Sequence, residues 1–334
     1  MSDRVLVGDI GGTNCRFALY ETDGATASIE RTYKSHDFAS LTDAIARLVA
    51  DTGATFARAC FAVAGPVRAG VCRATNIPWI VDERALAGAL DGATVKVIND
   101  FAAQTMGVAS VCDGGDASGE ALVALVSGER DPESPIAVLG AGTGLGEAIA
   151  ARAADRSWVV VPGEGGHADF AATDERQERV LRAMRAALGT RVTYEHVVSG
   201  PGLANIFRAL VASRDERSPV PSQAVLDAMS REDPSAVITR EALSGGDPYC
   251  REALEVFIEA YAQEAGNIAL RALAYGGVYL AGGIAPKVLS ALRDGRFEAR
   301  FRDKAPHRAV MASMSVSVVV AGDLGLRGAR AAIG

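Results

Sequence analysis

The sequence predicts an α/β protein of two domains around a cleft, and three observations carry that prediction. A glycine-rich turn follows an apolar, strand-like run three times: Val5-Leu6-Val7-Gly8-Asp9-Ile10-Gly11-Gly12-Thr13-Asn14, Ile136-Ala137-Val138-Leu139-Gly140-Ala141-Gly142-Thr143-Gly144, and Gly277-Val278-Tyr279-Leu280-Ala281-Gly282-Gly283-Ile284. Between the turns, β-branched runs alternate with stretches of helical periodicity, the pattern of α/β architectures. A polar, glycine-rich stretch from Asp113 to Gly119 interrupts that alternation and reads as a domain junction.

The elements follow in order. Arg4 to Tyr20 reads as strand, tight turn, strand, with Val5 and Val7 before the glycines and Phe17 and Leu19 alternating after them. Leu41, Ile45, Leu48 and Val49 recur at helical spacing, and Ala59 to Ala64 then reads as a buried strand ended by Gly65-Pro66. Thr94 to Ile98 is another β-branched run; the polar pair Asn99-Asp100 follows it, and a helix is expected from Phe101 to Val108. The domain boundary falls near residue 111. Beyond Ile136 the hairpin pattern returns, with Glu147 to Ala153 as its second strand and Trp158 to Val161 as a third. Glu175 to Leu188 is an amphipathic helix, Ser213 to Ser222 an exposed loop, and Tyr249 to Tyr275 one long helix or two. Ser315 to Val320 is a late strand and Leu324 to Ile333 a closing helix. Residues 1–111 with about 321–334 would make the smaller domain, and 112–320 the larger.

Composition excludes several classes of function. With 334 residues, 49% hydrophobic, 22% charged and a net charge of −7, the chain suits a soluble enzyme rather than a sequence-independent nucleic-acid binder, which needs a basic surface. The cysteines Cys15, Cys60, Cys72, Cys112 and Cys250 are scattered and odd in number, as in a reduced, cytoplasmic compartment. His36, His167, His196 and His307 do not join them at structural-zinc spacing. No secretory leader precedes the first strand and no long apolar run suggests a membrane span.

The glycine turns are the first chemical signal. Without a Cβ each can adopt positive φ and bring backbone N–H groups up to an anion, which suits a phosphate chain, although any single copy also reads as an ordinary hairpin. A P-loop is absent because Lys34, Lys96, Lys287 and Lys304 never follow glycine, and no G-x-G-x-x-G spacing occurs among Gly140, Gly142, Gly144 and Gly146. Asp9, beside the first turn, is a candidate for holding hydrated Mg²⁺, or else a turn-forming residue. Thr13 and Thr143 can each offer a hydroxyl to phosphate.

Asn99-Asp100 is the candidate for chemistry, since residues at the carboxyl ends of strands face the ligand crevice of α/β proteins. Asp100 can accept the proton of an attacking sugar hydroxyl and Asn99 can bind neighbouring hydroxyls. An aspartate ahead of a helix is also a favoured N-cap, and both roles can coexist. Pro162-Gly163-Glu164-Gly165-Gly166-His167 sets an acid and an imidazole on a flexible loop able to read a polyol; the bland alternative for His167 is a structural histidine. Glu195, before Ser199-Gly200-Pro201-Gly202, is a second acceptor or a surface acid.

GDIGGTN, IND followed by FAA, GAGTGLG, PGEGGH, VSGPG and AGGI occur in the order seen in bacterial glucokinases, and the chain resembles the proteobacterial and cyanobacterial branch of that family from Val7 to about Arg330. The resemblance implies the two-domain, actin-like (ribonuclease H-like) ATPase fold with an interdomain cleft. It implies that Gly8, Asp9, Ile10, Gly11, Gly12 and Thr13 form the first phosphate loop and Gly142, Thr143 and Gly144 the second, with Gly282 and Gly283 near the adenosine. It further implies that Asp100 is the catalytic base and that Asn99, Asp100, Glu164, His167 and Glu195 bind glucose. The expected reaction moves the γ-phosphoryl group of ATP to the 6-hydroxyl of glucose with Mg²⁺ held at Asp9, in a cytoplasmic enzyme, expected to be a homodimer, with no nucleic-acid or membrane partner. The related ROK kinases carry a cysteine cluster after a Gly-His pair, whereas Ala168-Asp169-Phe170 follows His167 here. The rival readings are a kinase for another hexose or amino sugar, and a non-catalytic sugar sensor of the same fold.

Overall fold

The computed structural model describes residues 4–21, 26–115, 120–215 and 218–334. The first glycine-rich stretch folds into β1 (Arg4–Ile10) and β2 (Asn14–Glu21), an antiparallel hairpin closed by the pair Ile10 and Cys15. β3 (Ala27–Lys34) adds to its outer edge. α1 (Leu41–Thr52) begins at Ser40, whose hydroxyl accepts the N–H of Asp43, and stops at Gly53 in the left-handed region, φ 65°. It buries Leu41, Ala44, Ile45 and Leu48, the stripe that the sequence spacing predicts, apart from Val49, which is exposed. After it come β4 (Arg58–Val63), the short strands β5 (Val67–Arg68), β6 (Val71–Arg73) and β7 (Ile80–Asp82), α2 (Glu83–Ala89), β8 (Thr94–Asn99) and α3 (Asp100–Ser110). β4 pairs parallel with β1 and β8 parallel with β4, giving the sheet order β3-β2-β1-β4-β8.

The remaining strands repeat that plan. They are β9 (Leu122–Val126), β10 (Ile136–Ala141), β11 (Leu145–Arg152), β12 (Trp158–Gly163), β13 (Val278–Ala281) and β14 (Val316–Val319). β10 and β11 form an antiparallel hairpin, β13 and β14 follow β10 in parallel, and β9 closes the edge antiparallel, so the order runs β11-β10-β13-β14-β9. A hairpin followed by parallel strands in both sheets is the architecture of a duplicated unit. The helices are α4 (Glu175–Leu188), α5 (Gly200–Ala212), α6 (Gln223–Met229), α7 (Pro234–Leu243), α8 (Pro248–Ala272), α9 (Leu289–Leu292), α10 (Arg296–Arg302), α11 (Arg308–Ser313) and α12 (Leu324–Ile333). α8 resolves the question of one helix or two. It is continuous, because no proline follows Pro248 before Leu273 turns left-handed at φ 46°, and it buries Leu254, Phe257, Ile258, Tyr261 and Ala265 in the core.

Contacts divide the chain into two units, one of Met1–Gly119, Arg152–Pro162 and Ala321–Gly334, the other of Glu120–Ala151 and Gly163–Val320. In the first, α12 lies on α3 at very close range: a Cβ on Gly107 would overlap the carbonyl of Leu324, and one on Gly328 that of Ala103. Of the expected junction, residues 116–119 lie outside the described residues. Its start is tied down, for Asp113 accepts the indole N–H of Trp158 at 2.9 Å and pairs with Arg152, whose guanidinium stacks 3.8 Å from the Trp158 ring centre. Of the expected loop 213–222, residues 216–217 likewise lie outside the described residues.

Candidate active site

β8 ends at Asn99 and α3 begins at Asp100. The helix cap is therefore Asn99, a correction to the expectation that Asp100 supplies it. Asn99 still has extended backbone, φ −66° and ψ 144°, so its Oδ1 can reach forward to accept the N–H groups of Phe101 at 3.0 Å and Ala102 at 2.9 Å. Its Nδ2 donates to the Gly65 carbonyl and to Asp100 Oδ1, both at 3.0 Å. Asp100 Oδ1 also accepts the Phe101 N–H at 2.8 Å. Two donors and the positive end of α3 fix this carboxylate in one orientation.

Within the first turn, the Gly11 N–H closes on the Asn14 carbonyl at 3.0 Å, and Ser35 holds the other side, its hydroxyl donating to the Gly11 carbonyl at 2.7 Å and its N–H to that of Thr13 at 3.0 Å. The N–H groups of Gly12 and Thr13 make no hydrogen bond among the described residues, which leaves them for an anion. Gly12 must be glycine because a Cβ there would stand 2.5 Å from Cβ of Asn76. Gly8 and Ile10 lie in β1 rather than in the turn: Ile10 is core, and a Cβ on Gly8 would meet the Phe61 ring at 2.8 Å. The positive φ expected of the turns occurs at Gly282, 82°; in the other two turns close packing, not handedness, demands glycine at Gly12 and Gly144, whereas a Cβ on Gly142 would meet open space.

Asp9 is half-buried opposite Arg16; burial pushes its carboxyl above the ordinary value and Arg16 pulls it down in part. Its carboxylate accepts no hydrogen bond among the described residues. A desolvated, unpartnered hard-oxygen donor fits Mg²⁺, and no cluster of three metal-ligating side chains exists among the described residues. A single carboxylate is what a cation retaining water and phosphate ligands requires.

The second unit joins the other predicted residues. Its turn Gly142–Gly144 closes through the Gly142 N–H to the Gly144 carbonyl at 2.9 Å and leaves the Thr143 N–H without a partner among the described residues. Gly282 abuts Ala141, where a Cβ would overlap its carbonyl, and the Ile284 N–H donates to that carbonyl at 3.3 Å, so the third turn packs on the second. Glu195 is half-buried rather than a surface acid: its Oε2 accepts the Leu145 N–H at 2.9 Å and sits against Gly144. His167 lies between two acids, with Nε2 3.8 Å from Glu164 and Nδ1 4.0 Å from Glu195. The VSGPG segment braces this arrangement. Ser199 caps α5 and donates to the Glu195 carbonyl at 2.7 Å, while the Gly200 N–H donates to the Gly142 carbonyl at 2.8 Å.

Ser35, Asn76 and Glu147 were not among the predicted residues. Ser35 and Asn76 act through backbone and shape, which no local pattern marks. Glu147 is buried at 3% exposure beneath the Glu164 loop. A cavity of about 560 Å³ elsewhere in this unit is lined by Glu259, Asp303 and the arginines 296, 300, 302 and 308, and by none of the site residues.

The model of the glucokinase family matches residues 6–334. The chain belongs to the glucokinase family. It is 38% identical to a glucokinase of Pectobacterium atrosepticum over 331 residues, covering 99% of this chain and 97% of that one, and 36% identical to one of Nostoc sp. over 342 residues, 97% of each. A crystal structure of a glucokinase from an Antarctic psychrotroph, 32% identical, superposes with a TM-score of 0.83 over 100% of this chain and 99% of that one. This member of the family has the two-domain, actin-like fold and is an ATP-dependent glucose kinase. Among its described residues no helix is long and apolar enough to cross a membrane.

Proposed function

We propose that Asp100 removes the proton from the 6-hydroxyl of glucose as the γ-phosphoryl group of ATP transfers to it, and that Asn99, Glu164, His167 and Glu195 receive the other sugar hydroxyls. The observation that carries this reading is the set formed by Glu164, His167 and Glu195: two carboxylates flank one imidazole, and the same Glu195 is tied to the turn carrying Thr143. Carboxylates accept from paired hydroxyls and the imidazole adds either a donor or an acceptor, the grouping a polyol needs.

The unpartnered N–H groups of Gly12, Thr13 and Thr143 bind phosphate oxygens, and Gly282 and Gly283 approach the adenosine. A carboxylate is a weak base for an alcohol, but a loose phosphoryl-transfer transition state asks for position and late proton removal rather than base strength. Asp100 meets that requirement through the two donors that hold Oδ1. Asp9 would hold Mg²⁺, which when bound neutralises charge on the phosphates. A cytoplasmic homodimer completes the reading; no disulfide forms among the described residues, and sedimentation at micromolar concentration tests the dimer.

A coupled assay with ATP over glucose, mannose, fructose and N-acetylmannosamine tests the acceptor. Glucose is expected to give the highest kcat/KM; preference for another sugar, or no sugar phosphate at all, overturns the assignment.

A further inference from the structure

Glu147 pairs with Leu139 across the β10–β11 hairpin and turns its carboxyl into the protein beneath the loop Gly163–His167. The residue is 3% exposed, and its Oε1 has no hydrogen-bond partner among the described residues. Its Oε2 lies so close under Gly165 that a Cβ there would overlap it, so the carboxyl is the floor on which this part of the loop rests.

The surroundings disfavour a charge at this place. From α8, Glu264 faces it, itself 0% exposed and held by Asn267 at 2.9 Å and by Arg271; the Tyr261 phenol is on the same helix, and Lys304 stands behind, donating to Asn267 at 2.7 Å. The loop above carries Glu164 and His167, with His167 facing Glu164 and Glu195, and Tyr194 from the segment beyond it faces Glu264. Burial first and Glu264 second push the Glu147 carboxyl up to about 8, with Arg271 opposing in part. Near neutrality it is a neutral acid, a shape more than a charge.

The loop above it is stitched to the sugar ligands. The His167 N–H donates to the Glu164 carbonyl at 3.0 Å, the Ala168 N–H to that of Gly165 at 2.8 Å, and the Glu195 N–H to that of Gly166 at 2.8 Å. A buried carboxylate must recruit water or a donor, and the contact with Gly165 leaves no space for one without moving the loop. We propose that Glu147 is a positioning residue for the acceptor site: as the neutral acid it supports the loop, and on losing its proton to solvent it displaces Glu164 and His167 and weakens the hold on glucose. This rests on the reading of Glu164 and His167 as glucose ligands.

The test is glucose KM and kcat between pH 6 and 9.5, at saturating ATP, for the full chain and for Glu147→Gln. The unaltered protein should show KM rising about tenfold between pH 7 and 9, the upper limit lying one pH unit above the group's value, with kcat at saturating glucose changing far less; Glu147→Gln should hold KM flat over that interval. A merely structural role would shift KM of the variant equally at every pH, and that result, or an unchanged alkaline rise in the variant, overturns the proposal. A second measurement needs no variant: calorimetry of glucose binding at pH 8.5 in buffers of different ionisation enthalpy should show proton uptake, and its absence also overturns the proposal. Failure of the ligand reading is distinct, because Glu164→Ala and His167→Ala would then leave glucose KM unchanged at pH 7.

Discussion

Oε2 of Glu195 accepts the backbone N–H of Leu145 at 2.9 Å, with Gly144 packed against the same oxygen. One carboxylate thus supports the turn assigned to phosphate while also facing His167 at 4.0 Å. A methyl group at position 144 would drive the two apart. Gly144→Ala should therefore raise KM for both ATP and glucose, each by tenfold or more, in a protein that remains folded by circular dichroism. Glu195→Ala should raise glucose KM as well, and the double variant should lose less than the sum of the two single losses because one contact underlies both. Additive losses would show that the contact does not couple the two substrates.

Asp100→Asn keeps the shape and the helix position but removes the proton acceptor. Turnover should fall by roughly 10²–10⁴, the usual worth of a positioned general base, with the glucose dissociation constant changed no more than a few-fold. Stopped assays for turnover and calorimetry for binding separate these; near-normal turnover would refute the assignment.

Asn99 spends both amide hydrogens and its oxygen on Gly65, Asp100 and the first turn of α3, so a glucose hydroxyl engages it by displacing one of these partners. Asn99→Ala should cost about 1–2 kcal/mol of stability from the lost cap and should lower kcat by freeing Asp100. Asn99→Ser restores a cap without the ties to Gly65 and Asp100, so it should recover most of the stability and little of the turnover. Thermal melts set beside kcat distinguish the two functions of the residue.

Stability should depend on pH through Glu147. Its carboxyl goes from the ordinary 4.5 to about 8 on folding, so between those values the folded protein keeps a proton that the unfolded chain has released. Stability therefore falls as pH rises from about 4.5 to about 8 and levels off above that. Glu147→Gln removes this cost. Its stability advantage, read as a difference in Tm, should be near zero at pH 4.5 and grow to its full value by pH 8–9, on the order of 5 kcal/mol. A difference in Tm that does not change with pH would contradict a neutral Glu147.

The two hairpins, the strand–polar pair–helix sequence at Asn99-Asp100 and α4 were legible because each depends on periodicity over a few residues. β3 was not, since its half-buried face of Ala27, Ile29 and Tyr33 is interrupted by Arg31, which breaks the apolar alternation of an edge strand. The cap of α3 was misassigned by one residue: Asn99 and Asp100 can both cap, and only the point where β8 ends decides between them. Glu164 and His167 stood out as polar residues among glycines. Glu147 read as an ordinary strand acid, although in a period of two it shares a face with Leu145 and Ile149, a parity that points it inward. The three glycine turns were legible as turns, but why each glycine is needed was not: Gly12 answers to Asn76 and Gly144 to Glu195, both distant in the chain.

The pairing of α12 with α3 also orders events during synthesis. More than two hundred residues separate the two helices, so the segment that opens with Asp100 leaves the ribosome roughly ten to forty seconds before its partner does. Throughout that interval the small-residue face around Gly107 is bare, and the first unit must wait, incomplete, while the whole of the second is made. The nascent chain is then open to chaperones and proteases at the helix that opens with Asp100, and slow translation anywhere between residues 120 and 320 lengthens that exposure.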